Sequence, residues 1–143
     1  MFAERCLRKI LIVEDDLALR SIWEQFFKKL GDENCVDWAV SCEEALKMIE
    51  QTFESKENYS LIISDLFLAG SKTGMALISS PQVVLSKANT ILISASDRDE
   101  IIENFGHLLP GTIIISKPIS FKKFEIIFKN LIDQNLVEQK SAA

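Results

Sequence analysis

The sequence predicts an α/β protein, a (βα)5 doubly wound sheet in which five parallel strands alternate with helices. Two observations predict it. Short apolar, β-branched runs recur along the chain, "KILIV" at 9–13, "CVDWAV" at 35–40, "LIIS" at 61–64, "TILIS" at 90–94 and "TIIIS" at 112–116, and helical patterns fill the intervals between them. Connections of that length join parallel neighbours, and a parallel sheet needs helices over both of its faces. The first, third and fourth runs are continuously apolar, as strands covered on both sides are. Asp37, between Val36 and Trp38, interrupts the second run and assigns it to an edge.

The helices follow in order. Over residues 17–30, Leu19, Trp23, Phe26 and Leu30 share one face with Ile22 beside them, and Gly31 closes the helix. Ser41 with Glu44 three residues later is a capping box, placed ahead of Ala45, Ile49 and Phe53. Residues 75–87 are helical in pattern, but Pro81 lacks an N–H and must kink the segment or mark a late start. Asp97 caps a short helix to about Phe105, and Ser120 caps a last one with a stripe of Phe124, Ile127, Phe128 and Leu131. No internal repeat or linker interrupts residues 1–143, which read as one domain with a core over about 8–135 and a tail, 136–143, expected to fray.

Composition narrows the function classes. Hydrophobic residues make up 48% and charged ones 26%, the balance of a folded globular domain. A net charge of -5 argues against nucleic acid, whose binding surfaces are basic. The apolar stretch "ILIV" after a charged start is far too short for a signal peptide or a membrane span, so the expectation is a cytoplasmic protein without membrane contact. The three cysteines, Cys6, Cys35 and Cys42, show neither a disulfide framework nor zinc-ligand spacing, and read as reduced thiols.

In a sheet of this kind ligands bind beyond the carboxyl ends of the strands. The residues just past those ends are "EDD" at 14–16, Asp65, Ser94, and Lys117 followed by Pro118. Asp16 reads as a helix cap. Glu14, Asp15 and Asp65 would repel one another once drawn together, so they call for a hard divalent cation. Carboxylate and water ligands suit magnesium. A neighbouring Lys117 would lower the carboxylate pKa values and leave Asp65 ionised and nucleophilic.

These segments together resemble the response-regulator receiver domains of bacterial two-component signalling. "ILIVEDD", "LIISDL", "ILISAS" and "SKP" match that family's acidic pair, phosphoacceptor, hydroxyl and lysine motifs in order, over nearly the whole chain. The resemblance implies a flavodoxin-like strand order 2-1-3-4-5. It implies that Asp65 accepts a phosphoryl group from a histidine kinase or phosphotransfer protein, with self-catalysis at most and no separate enzyme activity. Asp15, Asp65 and the backbone carbonyl of Phe67 would then bind magnesium directly and Glu14 through water. Lys117 would offset phosphoryl charge, and Ser94 would swing its hydroxyl to a phosphoryl oxygen.

The chain ends after the fifth helix, so output is expected through contact with a downstream protein target or along a phosphorelay. The face of the fourth helix, fifth strand and fifth helix is the expected surface, for a target or for a homodimer, with Ile114, Phe121 and Phe124 leaving apolar area exposed. Three features depart from the family pattern. Leu68-Ala69 replaces a Met-Pro pair, Gly74 lies nine rather than eight positions after Asp65, and Ile114 stands where an aromatic switch residue is common. The alternatives are a degenerate receiver that binds proteins without phosphorylation, and a magnesium phosphohydrolase. The second lacks its usual acid/base aspartate, because Phe67 occupies that position.

Overall fold

The computed structural model describes residues 6–31, 33–68 and 72–142, with Leu108 and residues 134–142 described as backbone alone. Five parallel strands form one sheet: β1 (Arg8–Val13), β2 (Asn34–Ala39), β3 (Leu61–Asp65), β4 (Asn89–Ser94) and β5 (Ile113–Ser116). Their order is β2-β1-β3-β4-β5, an α/β flavodoxin-like arrangement. β2 takes the edge that Asp37 foretold, and there Asp37 accepts a hydrogen bond from the Tyr59 hydroxyl at 2.7 Å. All strands run the same way, so Glu14, Asp65, Ser94 and Lys117 leave one end of the sheet.

Strand alternation splits the core between the two faces. Ile10, Ile12, Leu61, Ile63, Ile91 and Ile93 point towards α1 (Arg20–Leu30) and α6 (Phe121–Ala142). Leu11, Val13 and Ile62 point towards α2 (Cys42–Ser55), α3 (Gly74–Ile78) and α4 (Pro81–Ser86). Leu92 and Ile114 pack with Ile101 of α5 (Arg98–Phe105). Between the sheet and the first and last helices lies an aromatic cluster. The Trp23 ring stands edge-on to Phe121 and Phe124, each 5.1 Å away, and Phe27 to Phe128 at 5.2 Å.

Several side chains turn differently from the sequence expectation. Phe27 and Trp23 form the buried stripe of α1, and Ile22 is exposed; Thr52 is buried on α2, and Phe53 is largely exposed. The rest of the expected faces are kept, with Trp23, Ala45 and Ile49 buried and Leu19, Phe26 and Leu30 packed against the core; Phe27 joins the first stripe, and Thr52 takes the place of Phe53 in the second. Ile114 and Phe124 are buried, at 6% and 1% exposure, so neither belongs to an exposed output face. Strand alternation turns Ile114 inward, and Phe124 is held by the aromatic cluster. Among the described residues of α5 and α6 the exposed large apolar side chains are Ile102, Phe105 and Ile126.

The caps follow the sequence. Asp16 accepts from the Ala18 N–H at the start of a short 3-10 turn before α1, and Ser41 accepts from Glu44 N–H, Asp97 from Asp99 N–H and Ser120 from Lys123 N–H. Pro81 acts as a start rather than a kink. It is the first residue of α4, capped by Ser80, so the expected third helix is two short ones. The fourth and fifth helices of the (βα)5 reading are therefore α5 and α6. The backbone of α6 stays helical to Ala142, through the segment expected to fray. Among the described residues no helix is long and apolar enough to cross a membrane.

Cys6 and Cys35, expected to be free thiols, are instead paired, with their Cα atoms 5.6 Å apart. They lie 29 residues apart in sequence, and only the pairing of β1 with β2 brings them together. Cys42 remains free and buried. The core makes a direct prediction. Phe124→Ala removes a fully buried ring from the aromatic cluster and will lower the unfolding free energy by about 3–5 kcal/mol in a denaturant titration. Ile126→Ala, one helical step away and exposed, will change it by less than about 1 kcal/mol.

Candidate functional site

The site forms where the strands end. In the β1 and β3 pairing Val13 lies beside Ser64, so the next residues, Glu14 and Asp65, leave the sheet together. Glu14 keeps its backbone N–H on the Ala39 carbonyl at 2.9 Å, which extends the ladder one step past β1. Glu14, Asp15 and Asp65 each offer a carboxylate oxygen, and all of these lie within 4.8 Å of one another. Glu14 is buried, Asp15 exposed and Asp65 between the two. The sheet thus gathers the acidic residues that the sequence singled out.

Lys117 comes from the other side of β3. Its backbone N–H donates to the Ser94 carbonyl at 2.8 Å, which ties the end of β5 to the end of β4. Its ammonium then reaches back to donate to Asp65 Oδ2 at 3.1 Å. The Asp65 side chain is only 12% exposed, so this ion pair is better shielded than a surface one.

Electrostatics single out Glu14. Burial, then its contact with the Asp65 carboxyl and the Asp65 charge, push its pKa from 4.5 up to about 7, and Asp15 adds to the rise. Lys117 lowers it, as expected, but burial and the neighbouring carboxylates outweigh the lysine. The folded state therefore holds a proton on Glu14 more tightly than the unfolded chain does, and a bound cation would compete with that proton. Glu14 Oε2 is buried and has no hydrogen-bond partner among the described residues. A cavity of about 20 Å³ lies beside it, bounded by Glu14, Asp65 and Lys117 on one side and by Leu19, Trp23 and Ile119 on the other. That volume accommodates one water. An orphaned buried oxygen beside two further carboxylates fits a hard cation with water in its shell.

Ser94 is fully buried, and its Oγ accepts from the Ser96 N–H at 3.0 Å. Its carbonyl is the one that Lys117 grips, so hydroxyl and ammonium belong to one linked pair of strand ends. Phe67 lies on the surface two residues past Asp65, and its ring is exposed. His107 is exposed in a 3-10 turn before β5.

Two contributors escaped the sequence reading. Ser116 donates to the Ser96 carbonyl at 3.4 Å and joins the loop after β4 to β5. Gly74, noticed in sequence only for its offset, begins α3 directly against the backbone of Asp65. A Cβ there would overlap the Asp65 carbonyl oxygen, and the Gly74 N–H donates to the Leu66 carbonyl at 2.8 Å. The glycine signal was therefore steric, although the longer loop hid it; Ala69 lies outside the described residues. Gly74→Ala must push α3 from the end of β3 or bend the strand. It will lower stability by about 1–3 kcal/mol, and divalent-cation affinity will fall with it, as isothermal titration of the variant against the parent protein would measure.

No protein-family model and no curated protein matches the chain. Solved structures do match. The receiver domain of the hybrid histidine kinase CckA is 27% identical, with a TM-score of 0.66, over 86% of this chain and 97% of that one. A CheY-like response regulator receiver domain from Methanospirillum hungatei is 23% identical, with a TM-score of 0.70, over 90% and 97%. A receiver domain from Clostridium thermocellum is 20% identical, with a TM-score of 0.72, over 92% and 98%. In strand order and in extent, the chain has the receiver-domain fold of the response regulators.

Proposed function

We propose that this protein is a phosphorylation-dependent signalling switch in which Asp65 accepts a phosphoryl group from a histidine kinase or phosphotransfer protein. One observation carries the reading: the shielded Asp65 carboxylate lies between a lysine ammonium at 3.1 Å and two further carboxylates within 4.8 Å. A structural ion pair needs only the lysine. The extra acidic pair makes sense where a divalent cation and a transferring phosphoryl group must be held on the same oxygen.

Asp15, Asp65 and the Phe67 carbonyl would hold magnesium directly in this reading, and Glu14 would hold it through water. Bound there, magnesium would neutralise charge on the transferring phosphoryl oxygens. Asp65 attacks phosphorus in line, the phosphorus–nitrogen bond of the phosphohistidine breaks, and the imidazole leaves with that electron pair. Lys117 then exchanges the Asp65 oxygen for a phosphoryl oxygen. Ser94 turns its hydroxyl from the Ser96 N–H to a second phosphoryl oxygen, and the loop before α5 follows. The driving force is the change of charge at Asp65: the phosphoryl group carries about -1.5 to -2 while the carboxylate loses its own charge, so the site gains about -0.5 to -1 together with new acceptor oxygens.

Output runs through protein contact. The exposed Ile102, Phe105 and Ile126 on α5 and α6 are apolar residues suited to a downstream protein or a second copy of the chain. The rival reading is a receiver that binds proteins without being phosphorylated, and the exposed Phe67 in an altered loop is the observation in its favour.

Incubation with magnesium and a small-molecule phosphodonor, read by intact mass, separates the two. A labile gain of one phosphoryl group, lost in Asp65→Asn and with EDTA, is the expected outcome. No gain from either the phosphodonor or a phosphorylated phosphotransfer protein would leave only the binding module. Phe67 also sets a rate. Its ring offers no group to orient a hydrolytic water, so Phe67→Asn should lose phosphate severalfold faster than the parent protein, and equal rates would remove Phe67 from the account.

A further inference from the structure

Cys6 and Cys35 lie at the amino end of the sheet, away from the acidic site, and the chain around them is built to hold them together. The Leu7 and Arg8 N–H groups both donate to the Glu33 carbonyl, at 3.0 and 3.1 Å. The Arg8 guanidinium binds Glu33 Oε1 at 2.7 Å and Asn34 Oδ1 at 2.8 Å. These contacts fasten the residues before β1 to the start of β2. They leave the two Cα atoms 5.6 Å apart, a separation that a disulfide spans without backbone movement. Cys6 is exposed, Cys35 half-buried and Cys42 fully buried, so solutes reach the first thiol and not the third.

We propose that Cys6 and Cys35 are a reversible redox modification site, a disulfide clasp closed by low-molecular-weight disulfides such as oxidised glutathione. The Cys6 thiolate attacks one sulfur of the small disulfide, whose sulfur–sulfur bond breaks and releases one thiolate. The Cys35 thiolate then attacks the Cys6 sulfur of the mixed disulfide and displaces the second. Two cysteine thiols are oxidised, one small disulfide is reduced to two thiols, and the two protons lost by the cysteines end on those thiols. The closed loop contains β1 and α1, so the bond restricts the unfolded chain and fastens an edge strand to its neighbour.

The full-length protein is equilibrated with oxidised or reduced glutathione, then denatured, alkylated and weighed intact. After oxidation one of the three cysteines takes up label, peptide mapping joins Cys6 to Cys35, and Tm rises by roughly 5–10 °C. After reduction all three are labelled. Cys6→Ser and Cys35→Ser each abolish the Tm difference while melting like the reduced parent protein. Three labelled thiols after oxidation, glutathione retained on Cys6 without closure, a bond to Cys42 or between chains, or an unchanged Tm would each overturn the proposal.

Discussion

Like charges brought together at the ends of parallel strands are the constraint on which the rest of this structure depends. Two carboxylates about 4 Å apart repel by roughly 4 kcal/mol at the effective dielectric of a protein surface. That is comparable to a large fraction of a domain's net stability. The fold lessens the repulsion in two ways: Lys117 sits on Asp65, and burial together with the Asp65 carboxylate raises the Glu14 pKa to about 7, so that Glu14 holds a proton more readily than a free glutamate does. Neither measure is complete. A buried Glu14 oxygen still has no hydrogen-bond partner among the described residues, and the arrangement is best satisfied by something positive arriving from solution.

Holding such a site open requires a rigid scaffold beneath it. β1 and β3 supply it by being apolar on both faces, which buries both strands between the two helical layers. The aromatic cluster of Trp23, Phe27, Phe121, Phe124 and Phe128 clamps α1 and α6 over one face. Gly74 lets α3 touch the Asp65 backbone on the other. Asp65 is thus fixed by backbone contacts, while its side chain remains free to change partners between Lys117 and whatever replaces it.

The two ends of the sheet carry different chemistry. At the carboxyl end, charge is concentrated and the groups are poised to exchange partners. At the amino end, Arg8, Glu33 and Asn34 form a closed polar network around two cysteines, and Lys9 lies 3.9 Å from Asp37, which also holds Tyr59. Chemistry at one end can therefore alter the stability of β1 without entering the acidic cluster at the other.

Much of this was legible in the order of the residues. Five apolar runs, the caps at Ser41, Asp97 and Ser120, Gly31 after α1 and the edge-marking Asp37 are local signals, and each keeps its meaning because it acts within a few residues of itself. The acidic pair, Asp65, Ser94 and Lys117 could be grouped because parallel strands end on one side whatever their spacing in the chain. What the sequence by itself determined was therefore the elements and the end of the sheet to which the reactive residues belong. Only the tertiary structure decided the finer phase of the first two helices, burying Phe27 and Thr52 and exposing Ile22 and Phe53. It alone brought Cys6 beside Cys35, set Gly74 against Asp65 and raised the pKa of Glu14. Those outcomes depend on distances between residues far apart in the chain and on how much water is excluded between them, quantities that exist only once the sheet has closed its layers.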